Sequence, residues 1–315
     1  MTGEALAPAA LEAALRGLLE ERYHHRHPFN LRMHEGRLCA DEIRTWVRNR
    51  YYYQTRIPIK DGLILTKSGD PRFRREWIRR IQDHDGRRPG EGGLELWLAL
   101  GEAVGLRRDE VEDGPVLPGV RTACDDYVRF VESHDLLESV AASLTELRAA
   151  DLMAARVEAF ERHYPWIAPE GLAYFRSRTT QARRDSEEGL RVVLERARTP
   201  DEQGRALAAL ETKCAILWRL LDAVEAAHAR PVLSPHARWR HEGDASLLVL
   251  PERAVRLDPS GREIVALCDG RRSALEIASE LERRHPGSEG VAAETHLFLD
   301  RLERVGALLR AEDRG

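Results

Sequence analysis

Lysine is scarce in this chain, and long apolar runs are missing altogether. Only Lys60, Lys67 and Lys213 stand among 49 basic residues, so the other 46 are arginines. No apolar run approaches the roughly 20 residues that a membrane-spanning helix needs, and the acidic N-terminal segment is unlike a signal or transit peptide. We therefore expect a soluble, cytoplasmic, globular protein in which the few lysines are more informative than the many arginines.

Cysteine pairs and common catalytic motifs are also missing. The four cysteines, Cys39, Cys124, Cys214 and Cys268, form no C-x-x-C pair, so neither a zinc ribbon nor a dithiol redox centre is expected. No H-E-x-x-H, P-loop, G-x-G-x-x-G or G-x-S-x-G pattern occurs. The net charge of −4 offers no basic surplus for nucleic acid, and the 43% of hydrophobic residues suffices for a folded core.

The spacing of apolar residues divides the chain into a long helical part and a short mixed part. Residues 8–228 contain successive helical patterns separated by glycine and proline, which predicts an all-α bundle. After a linker at 229–235, strand-like runs at 247–250 and 254–257 precede three helical segments and a last short strand. We expect a helical domain at 1–228 and a small, winged-helix-like α+β domain at 236–315.

Polar side chains fall in phase with the apolar faces of several predicted helices. They are Arg50, Gln54, Arg80, His84, Tyr174, Arg178, Gln181 and Lys213. A single inward arginine often only reaches the edge of a bundle, but several buried cations together cost much free energy unless an anion neutralises them. The pattern therefore predicts a pocket for a small molecule that carries several carboxylates.

A metal site is one alternative for such a bundle. Two E-x-x-H pairs, Glu21–His24 and Glu225–His228, have the spacing of a di-iron site. Glu225 is out of phase with the apolar face of its helix, and chance matches are frequent in a chain rich in Glu and His. A metal-dependent oxidase is therefore less favoured, and near-stoichiometric iron in the purified protein would support it.

Several strings in the chain recur, in order and spacing, in known families. In residues 8–228 they are Tyr23–Phe29, Asn49–Thr55, Arg80–Gly86, Ser143–Leu147, His163–Ile167 and Tyr174–Arg178. These strings resemble the PqqC family of pyrroloquinoline quinone (PQQ) synthases. Residues 231–312 resemble the PqqD family through Pro251-Glu252, Leu267–Gly270 and the Phe298-Leu299 helix that ends at Val305-Gly306. The chain as a whole resembles a PqqC–PqqD fusion.

The resemblance implies an enzyme with a haem-oxygenase-like helical fold, usually homodimeric. The PqqC family closes a ring and carries out the eight-electron oxidation of a bicyclic, amino-acid-derived precursor to PQQ, which has three carboxylates. Oxygen is the oxidant, hydrogen peroxide is released, and neither a metal nor an organic cofactor is used. PqqD-like domains bind the PqqA precursor peptide and present it to PqqE.

Two other functions remain open. The helical part could be a carrier that binds PQQ or its precursor stoichiometrically while the tail holds the peptide and its partners. The winged-helix-like tail could instead contact DNA, although residues 231–315 have a net charge of −2. Comparing affinity for the PqqA peptide with affinity for duplex DNA would separate the last possibility.

The resemblance also implies roles for individual residues. The catalytic set is His84, His24, Tyr174 and Arg178, with His84 as the central base and Tyr174 and Arg178 holding reduced oxygen. The substrate-binding set is Tyr23, Arg50, Tyr53, Gln54, Arg80, Tyr127, Glu146, Arg156 and Lys213. One position departs from the family, because Met153 stands seven residues after Glu146, where a histidine is expected. Three consequences of this replacement remain open: the enzyme could be slower, it could use another base, or it could bind the ligand without completing turnover.

Overall fold

The structure, a computed structural model, describes residues 4–242 and 245–311. Between residues 8 and 228 its regular elements are helices. These are α1 (Pro8–Arg22), α2 (Pro28–His34), α3 (Ala40–Thr66), α4 (Pro71–Asp85), α5 (Gly93–Ala103), α6 (Arg108–Glu112), α7 (Pro118–Ser133), α8 (Leu136–Ser143), α9 (Glu146–His163), α10 (Ala173–Arg196) and α11 (Pro200–His228), with 3-10 turns at His24–Arg26 and Pro169–Leu172. The predicted all-α architecture of this part is confirmed.

Local sequence explains where these helices begin. The Asp70 carboxylate accepts a hydrogen bond from the backbone N–H of Arg72 at 2.8 Å, and Pro71 occupies the first turn. An aspartate cap followed by proline is a common start for a helix, because proline lacks the N–H that would be unpaired there. The predicted breaks at 69–71 and 199–200 both separate helices.

The contacts within the chain divide it into two compact units. One comprises the residues up to Asp222, apart from Leu117–Gly119, and the other comprises these three residues and those from Ala223 onward. The division between the two units after Asp222 lies within α11. This helix ends at His228, the predicted end of the helical domain.

Aromatic rings fill the core of the first unit. The ring of Trp46 lies 5.4 Å from that of Trp97, which lies 4.8 Å from that of Tyr174. Phe160 and Phe175 pack against the same group, and none of the five is more than 4% exposed. Burial of each such ring contributes about 1.5–3 kcal/mol. Because the rings come from α3, α5, α9 and α10, they fix these helices against one another.

The second unit combines two small antiparallel sheets with three helices. Its elements are β1 (Pro231–Leu233), β2 (Arg238–Glu242), β3 (Ala245–Leu250), β4 (Arg253–Leu257), α12 (Pro259–Leu267), α13 (Ala274–Arg284), α14 (Val291–Arg304) and β5 (Leu308–Arg310). One sheet has the order β2-β3-β4, and β1 pairs with β5 in the other. The predicted small α+β fold is confirmed.

Two strands of this unit are not apparent from the sequence. The segment 229–235, predicted as a linker, contains β1, in which Pro231 pairs with Arg310 of β5. Strand β2 begins Arg-Trp-Arg at 238–240 and forms an edge of its sheet. Three residues are too few to show a period, and an edge strand rich in charge lacks the apolar pattern used to recognise strands.

Helix α13 has a well-formed N-terminus. The Ser273 hydroxyl accepts from the backbone N–H of Glu276 at 3.2 Å, and the Glu276 carboxylate accepts from the backbone N–H of Ser273 at 2.7 Å. This reciprocal pair is a capping box, which satisfies two otherwise unpaired donors. Among the helices of the described residues, none is long and apolar enough to cross a membrane.

Candidate active site

The residues that the sequence singled out come together in the first unit. They are carried by the segment after α1 and by helices α3, α4, α7, α9, α10 and α11. Those at most 8% exposed are Tyr23, His24, Arg50, Tyr53, Gln54, Arg80, His84, Tyr127, Arg156, Tyr174, Arg178 and Lys213. Glu146 keeps 17% of its side chain exposed. The inward orientation of the predicted cations is therefore observed.

Helix α4 shows how the sequence turns a cation inward. Its buried residues are Phe73, Trp77, Arg80 and His84, which recur at helical spacing. The Arg80 guanidinium carbon lies 3.9 Å from the centroid of the Trp77 ring, a cation–π contact. The indole therefore supports one face of the guanidinium while its N–H groups stay available for hydrogen bonds.

Two of the buried arginines are neutralised by the protein itself. Arg80 forms an ion pair with Glu146 and donates to the backbone carbonyl of Asp185. Arg178 lies 3.4 Å from Glu146 and 3.5 Å from the Asp185 carboxylate, and it donates to Gln181 at 3.2 Å. Burial alone would lower the pKa of Arg80, but Glu146 and Asp185 raise it. Arg80 and Arg178 are therefore neutralised by carboxylates of the protein, and the predicted anionic ligand is needed only for the remaining inward cations.

Lys213 is a buried cation without such a partner. Its side chain is 1% exposed, and among the described residues no carboxylate forms an ion pair with it. Its Nζ donates to the Tyr53 hydroxyl at 3.0 Å and lies 3.3 Å from the centroid of the Tyr127 ring. Burial, together with the charges of Arg50 and Lys60, lowers the pKa of Lys213 well below its usual range.

Arg50 and Arg156 extend this region of unmatched positive charge. The Arg50 guanidinium lies 3.9 Å from the centroid of the Tyr53 ring. Arg156 donates to the side-chain carbonyl of Asn30 at 3.0 Å and contacts the ring of Trp46. Burial and the neighbouring Arg50 lower the pKa of Arg156 to about 9. Within the part of the chain that the structure describes, neither arginine has an ion-pair partner, so a carboxylate ligand would stabilise both.

His84 is placed as a neutral imidazole with one free nitrogen. Its Nδ1 donates to the backbone carbonyl of Arg80 at 3.0 Å, since a carbonyl can only accept. Its Nε2 is buried and has no hydrogen-bond partner among the described residues. Burial, and next the charge of Arg178, lowers the pKa of His84 to about 3. The unpaired Nε2 is thus a proton acceptor, and a bound anion would make it a stronger base.

His24 has a similar character. It is 3% exposed, and its Nδ1 also has no hydrogen-bond partner in the described part of the chain. Burial and the charges of Arg50 and Arg156 lower the pKa of His24 well below its usual range. The ring of Tyr23 lies 4.3 Å from the ring of His24.

The site tyrosines are hydrogen-bond donors in their neutral form. Tyr174 donates to the side-chain carbonyl of Gln54 at 2.9 Å. Burial raises the pKa of Tyr174, and it does the same for Tyr23, Tyr53 and Tyr127. Each hydroxyl therefore keeps its proton at neutral pH and remains a hydrogen-bond donor.

Met153 lies at the position where a histidine was expected. It is buried at 8% exposure on α9, one turn before Arg156. A thioether, which neither donates nor accepts a proton at neutral pH, therefore takes the place of an imidazole there. Among the predicted site residues, the histidines present are His24 and His84.

The structure adds residues that the sequence did not suggest. Asp185 carries the charge opposite Arg178, and its position seven residues later on α10 is a signal that could have identified it. Asn30 offers no such signal, because its partner Arg156 is brought to it only by the fold.

A surface cavity of about 200 Å³ adjoins this cluster. Glu146, Ala150 and Ser186 are among the residues that line it. Since the Glu146 carboxylate pairs with the buried Arg80, this cavity reaches the edge of the cationic cluster.

No metal-binding cluster is found in residues 4–242 and 245–311. No group of three or more His, Cys, Asp or Glu side chains there has a geometry suited to an ion. Of the E-x-x-H pair at Glu21 and His24, Glu21 is exposed and His24 is buried.

Two family models match the chain, one in each unit. Residues 12–223 match the TENA/THI-4/PQQC family, and residues 246–308 match coenzyme PQQ synthesis protein D (PqqD). Solved structures share the helical fold at low identity. A TenA homologue from Pseudomonas syringae pv. tomato has a TM-score of 0.58 at 14% identity, covering 71% of this chain and 99% of that one. A domain with a heme oxygenase-like fold from Shewanella denitrificans also has a TM-score of 0.58 at 14% identity. The match covers 70% of this chain and 92% of that one.

The chain therefore belongs to the TENA/THI-4/PQQC family, and the predicted haem-oxygenase-like fold is confirmed. Curated relatives narrow the assignment. A pyrroloquinoline-quinone synthase from Gluconobacter oxydans (strain 621H) is 47% identical over 234 residues, covering 74% of this chain and 98% of that protein. Another from Pseudomonas aeruginosa (strain LESB58) is 48% identical over 253 residues, covering 78% of this chain and 100% of that protein. The chain is a member of this enzyme family joined to a PqqD domain, as the sequence predicted.

Proposed function

We propose that the first unit catalyses ring closure and the eight-electron oxidation of the bicyclic PQQ precursor, with O2 as oxidant and H2O2 as a product. The observation that carries this proposal is the set of three buried cations, Arg50, Arg156 and Lys213, that have no ion-pair partner among the described residues. PQQ has three carboxylates, so its charge is complementary to these cations. The relatives named pyrroloquinoline-quinone synthase support the same substrate class.

The residues divide the chemistry among them. The free Nε2 of His84 removes a proton from a ring carbon of the substrate, and His24 is a second base. In each two-electron step with oxygen, the substrate loses two electrons and two protons, and O2 gains both and leaves as H2O2. Tyr174 and Arg178 stabilise the negative charge that develops on the reduced oxygen. Neither a metal nor an organic cofactor is required in this scheme.

Aerobic incubation with the precursor tests this proposal. Purified protein treated with EDTA should convert many equivalents of precursor to PQQ, with peroxide released and activity unchanged by the chelator. The His84→Ala variant should bind PQQ but fail to complete the oxidation. Loss of activity on chelation, restored by iron, would instead support a metal-dependent oxidase. Full activity of His84→Ala would place the base elsewhere.

A non-catalytic carrier is the second candidate, favoured by Met153 at the position of an expected imidazole. A carrier would bind PQQ or its precursor at one equivalent and release no peroxide beyond a single turnover. The same incubation therefore separates the two functions by counting turnovers. The variant Met153→His would raise the rate if the missing imidazole limits the oxygen step.

The second unit is proposed to bind the PqqA precursor peptide and to present it to PqqE. A groove of about 990 Å³ runs beside the end of β4 and along α12 and α14. Ile264, Leu297 and Phe298 give it apolar lining, whereas Arg256, Glu294 and Arg301 give it charge of both signs. Strand β4 is at an edge of its sheet, so an extended peptide could add to it as a further strand.

Two exposed leucines provide a matched test of this groove. Leu297 lines the groove and Leu309 lies outside it on β5, and each is 47% exposed. Titration of the full chain with synthetic PqqA peptide should show weaker binding by Leu297→Asp than by Leu309→Asp. Equal effects of the two changes, or tighter binding of duplex DNA than of the peptide, would contradict the proposal.

Homodimer formation and a cytoplasmic location stay predictions. Light scattering of the purified protein and fractionation of cells test them directly.

A further inference from the structure

Lys60 is a second buried lysine in a chain that has only three. It is 2% exposed, and its Nζ lies 2.7 Å from the carboxylate of Asp61, which is 1% exposed. A buried ion pair rarely contributes much net stability, because desolvation offsets the attraction. The sequence singles out Lys60 by its rarity, and the functional assignment above gives it no role.

The first contact of Lys60 leads toward Lys213. Its Nζ donates to the Ser143 hydroxyl at 3.0 Å, and that hydroxyl lies 3.3 Å from the Tyr127 hydroxyl. Ser143 has one hydroxyl proton, which it donates to the backbone carbonyl of Ser139 at 3.2 Å. Tyr127 must therefore donate to Ser143, and this bond fixes the ring that lies 3.3 Å from the Lys213 ammonium.

The ion pair of Lys60 with Asp61 connects Lys60 to Arg80 through Trp77. The Asp61 carboxylate oxygen that pairs with Lys60 also accepts from Trp77 Nε1 at 2.9 Å. The Trp77 indole in turn supports the Arg80 guanidinium at 3.9 Å. A single ion pair thus holds the aromatic platforms of two site cations, Lys213 and Arg80.

We propose that Lys60 and Asp61 are positioning residues, which orient Tyr127 and Trp77 so that Lys213 and Arg80 are held in place for carboxylate recognition. Lys60 reaches Lys213 through two other side chains, and so it acts through them and not on the ligand. This inference rests on the proposed binding of PQQ, and it adds residues to which that proposal assigns no role.

Two serines of α8 allow a matched test. Ser143→Ala removes the link between Lys60 and Tyr127. Ser139→Ala removes an equally buried hydroxyl of the same helix whose bonds go only to backbone carbonyls. With PQQ as the probe, Ser143→Ala should weaken binding roughly three- to tenfold, the loss of one hydrogen bond. Ser139→Ala should bind as the unmodified protein does.

The double variant Lys60→Met/Asp61→Leu supplies a readout that a purely structural role would not change. Among the groups around Lys213, Arg50 and Lys60 lower its pKa, whereas Cys124 and Cys214 raise it. The Tyr53 hydroxyl and the Tyr127 ring also face its Nζ. Removing Lys60 should therefore extend PQQ binding to higher pH. Apolar replacement of a buried pair is often tolerated, and thermal melting of the variant checks its fold.

The outcomes are distinct. Selective weakening by Ser143→Ala, with an upward shift of the pH profile in the double variant, supports the positioning role. Unchanged affinity of Ser143→Ala, equal weakening by both serine changes, or an unshifted pH profile overturns it while leaving the proposed function intact. Failure of the unmodified protein to bind PQQ overturns both.

Discussion

His84 should make the protein sensitive to acid, and replacing it should remove a calculable part of that sensitivity. Its pKa is about 3 in the folded protein, compared with about 6.5 for a histidine in the unfolded chain. As the pH falls below 6.5, the unfolded state therefore binds a proton that the folded state does not. Stability conferred by the neutral imidazole is present above pH 6.5 and is lost progressively toward pH 3.

The magnitude follows from proton linkage. Each pH unit between the two pKa values costs about 1.4 kcal/mol of unfolding free energy for one such group. Between pH 7.5 and pH 5 the loss attributable to His84 is therefore about 2 kcal/mol. His24 adds a loss of the same sign, because burial also lowers its pKa.

Urea unfolding of the full chain at pH 7.5 and pH 5 measures this loss. Tryptophan fluorescence is a suitable signal, since five of the six tryptophans precede residue 222 and so lie in the unit that contains His84. The fall in unfolding free energy between the two pH values should be about 2 kcal/mol smaller for His84→Gln than for the unmodified protein.

An exposed-histidine variant, His285→Gln, retains His84 and should keep most of the fall. If His84→Gln shows the same pH dependence as the unmodified protein, the pKa of His84 is not lowered in the folded protein. In that case the imidazole is solvated or partnered, and its Nε2 is not the buried, unpaired acceptor of the proposed mechanism.

Three further predictions concern charge and capping. Lys213→Met should raise the melting temperature of the ligand-free protein, because it removes a buried cation, yet weaken PQQ binding by on the order of 1–3 kcal/mol; a lower melting temperature with unchanged affinity would remove Lys213 from the site. PQQ binding at alkaline pH should take up protons, since burial and neighbouring positive charges lower the pKa of Lys213 in the free protein and a bound carboxylate raises it again; calorimetry in buffers of different ionisation enthalpy measures this, and identical heats would contradict it. Ser273→Ala should destabilise the second unit by about 1 kcal/mol through loss of the α13 cap, seen as faster amide exchange in that helix; unchanged exchange would show that the cap contributes little.

The periodicity of the sequence was sufficient to predict which arginines and lysines point into the bundle. It was not sufficient to predict which carboxylates form ion pairs with them. The spacing of Phe73, Trp77, Arg80 and His84 predicts which face of α4 is buried, because one helical period fixes all four together. Which carboxylate meets Arg80 depends on how α9 packs against α4, and no local pattern contains that information. The neutralisation of Arg80 and Arg178 by Glu146 and Asp185 is for this reason visible only in the structure.

The sequence did not predict strand β1 for a related reason. Strand β1 has three residues and is defined by its pairing with β5, which lies far away in the chain. The roles that family resemblance implies for Tyr23, Tyr53 and the other site residues stay predictions, although the fold buries these side chains together. Burial shows where a residue is, whereas its chemical role requires the experiments above.

The antiparallel pairing of β1 with β5 has an evolutionary consequence. Because Pro231 and Arg310 face each other, the polypeptide enters and leaves the PqqD domain at neighbouring points. A module with adjoining entry and exit points can be transferred by recombination into another polypeptide, at a loop or at an end, without stretching the host. Such geometry favours the joining of a PqqD domain to a synthase domain by gene fusion.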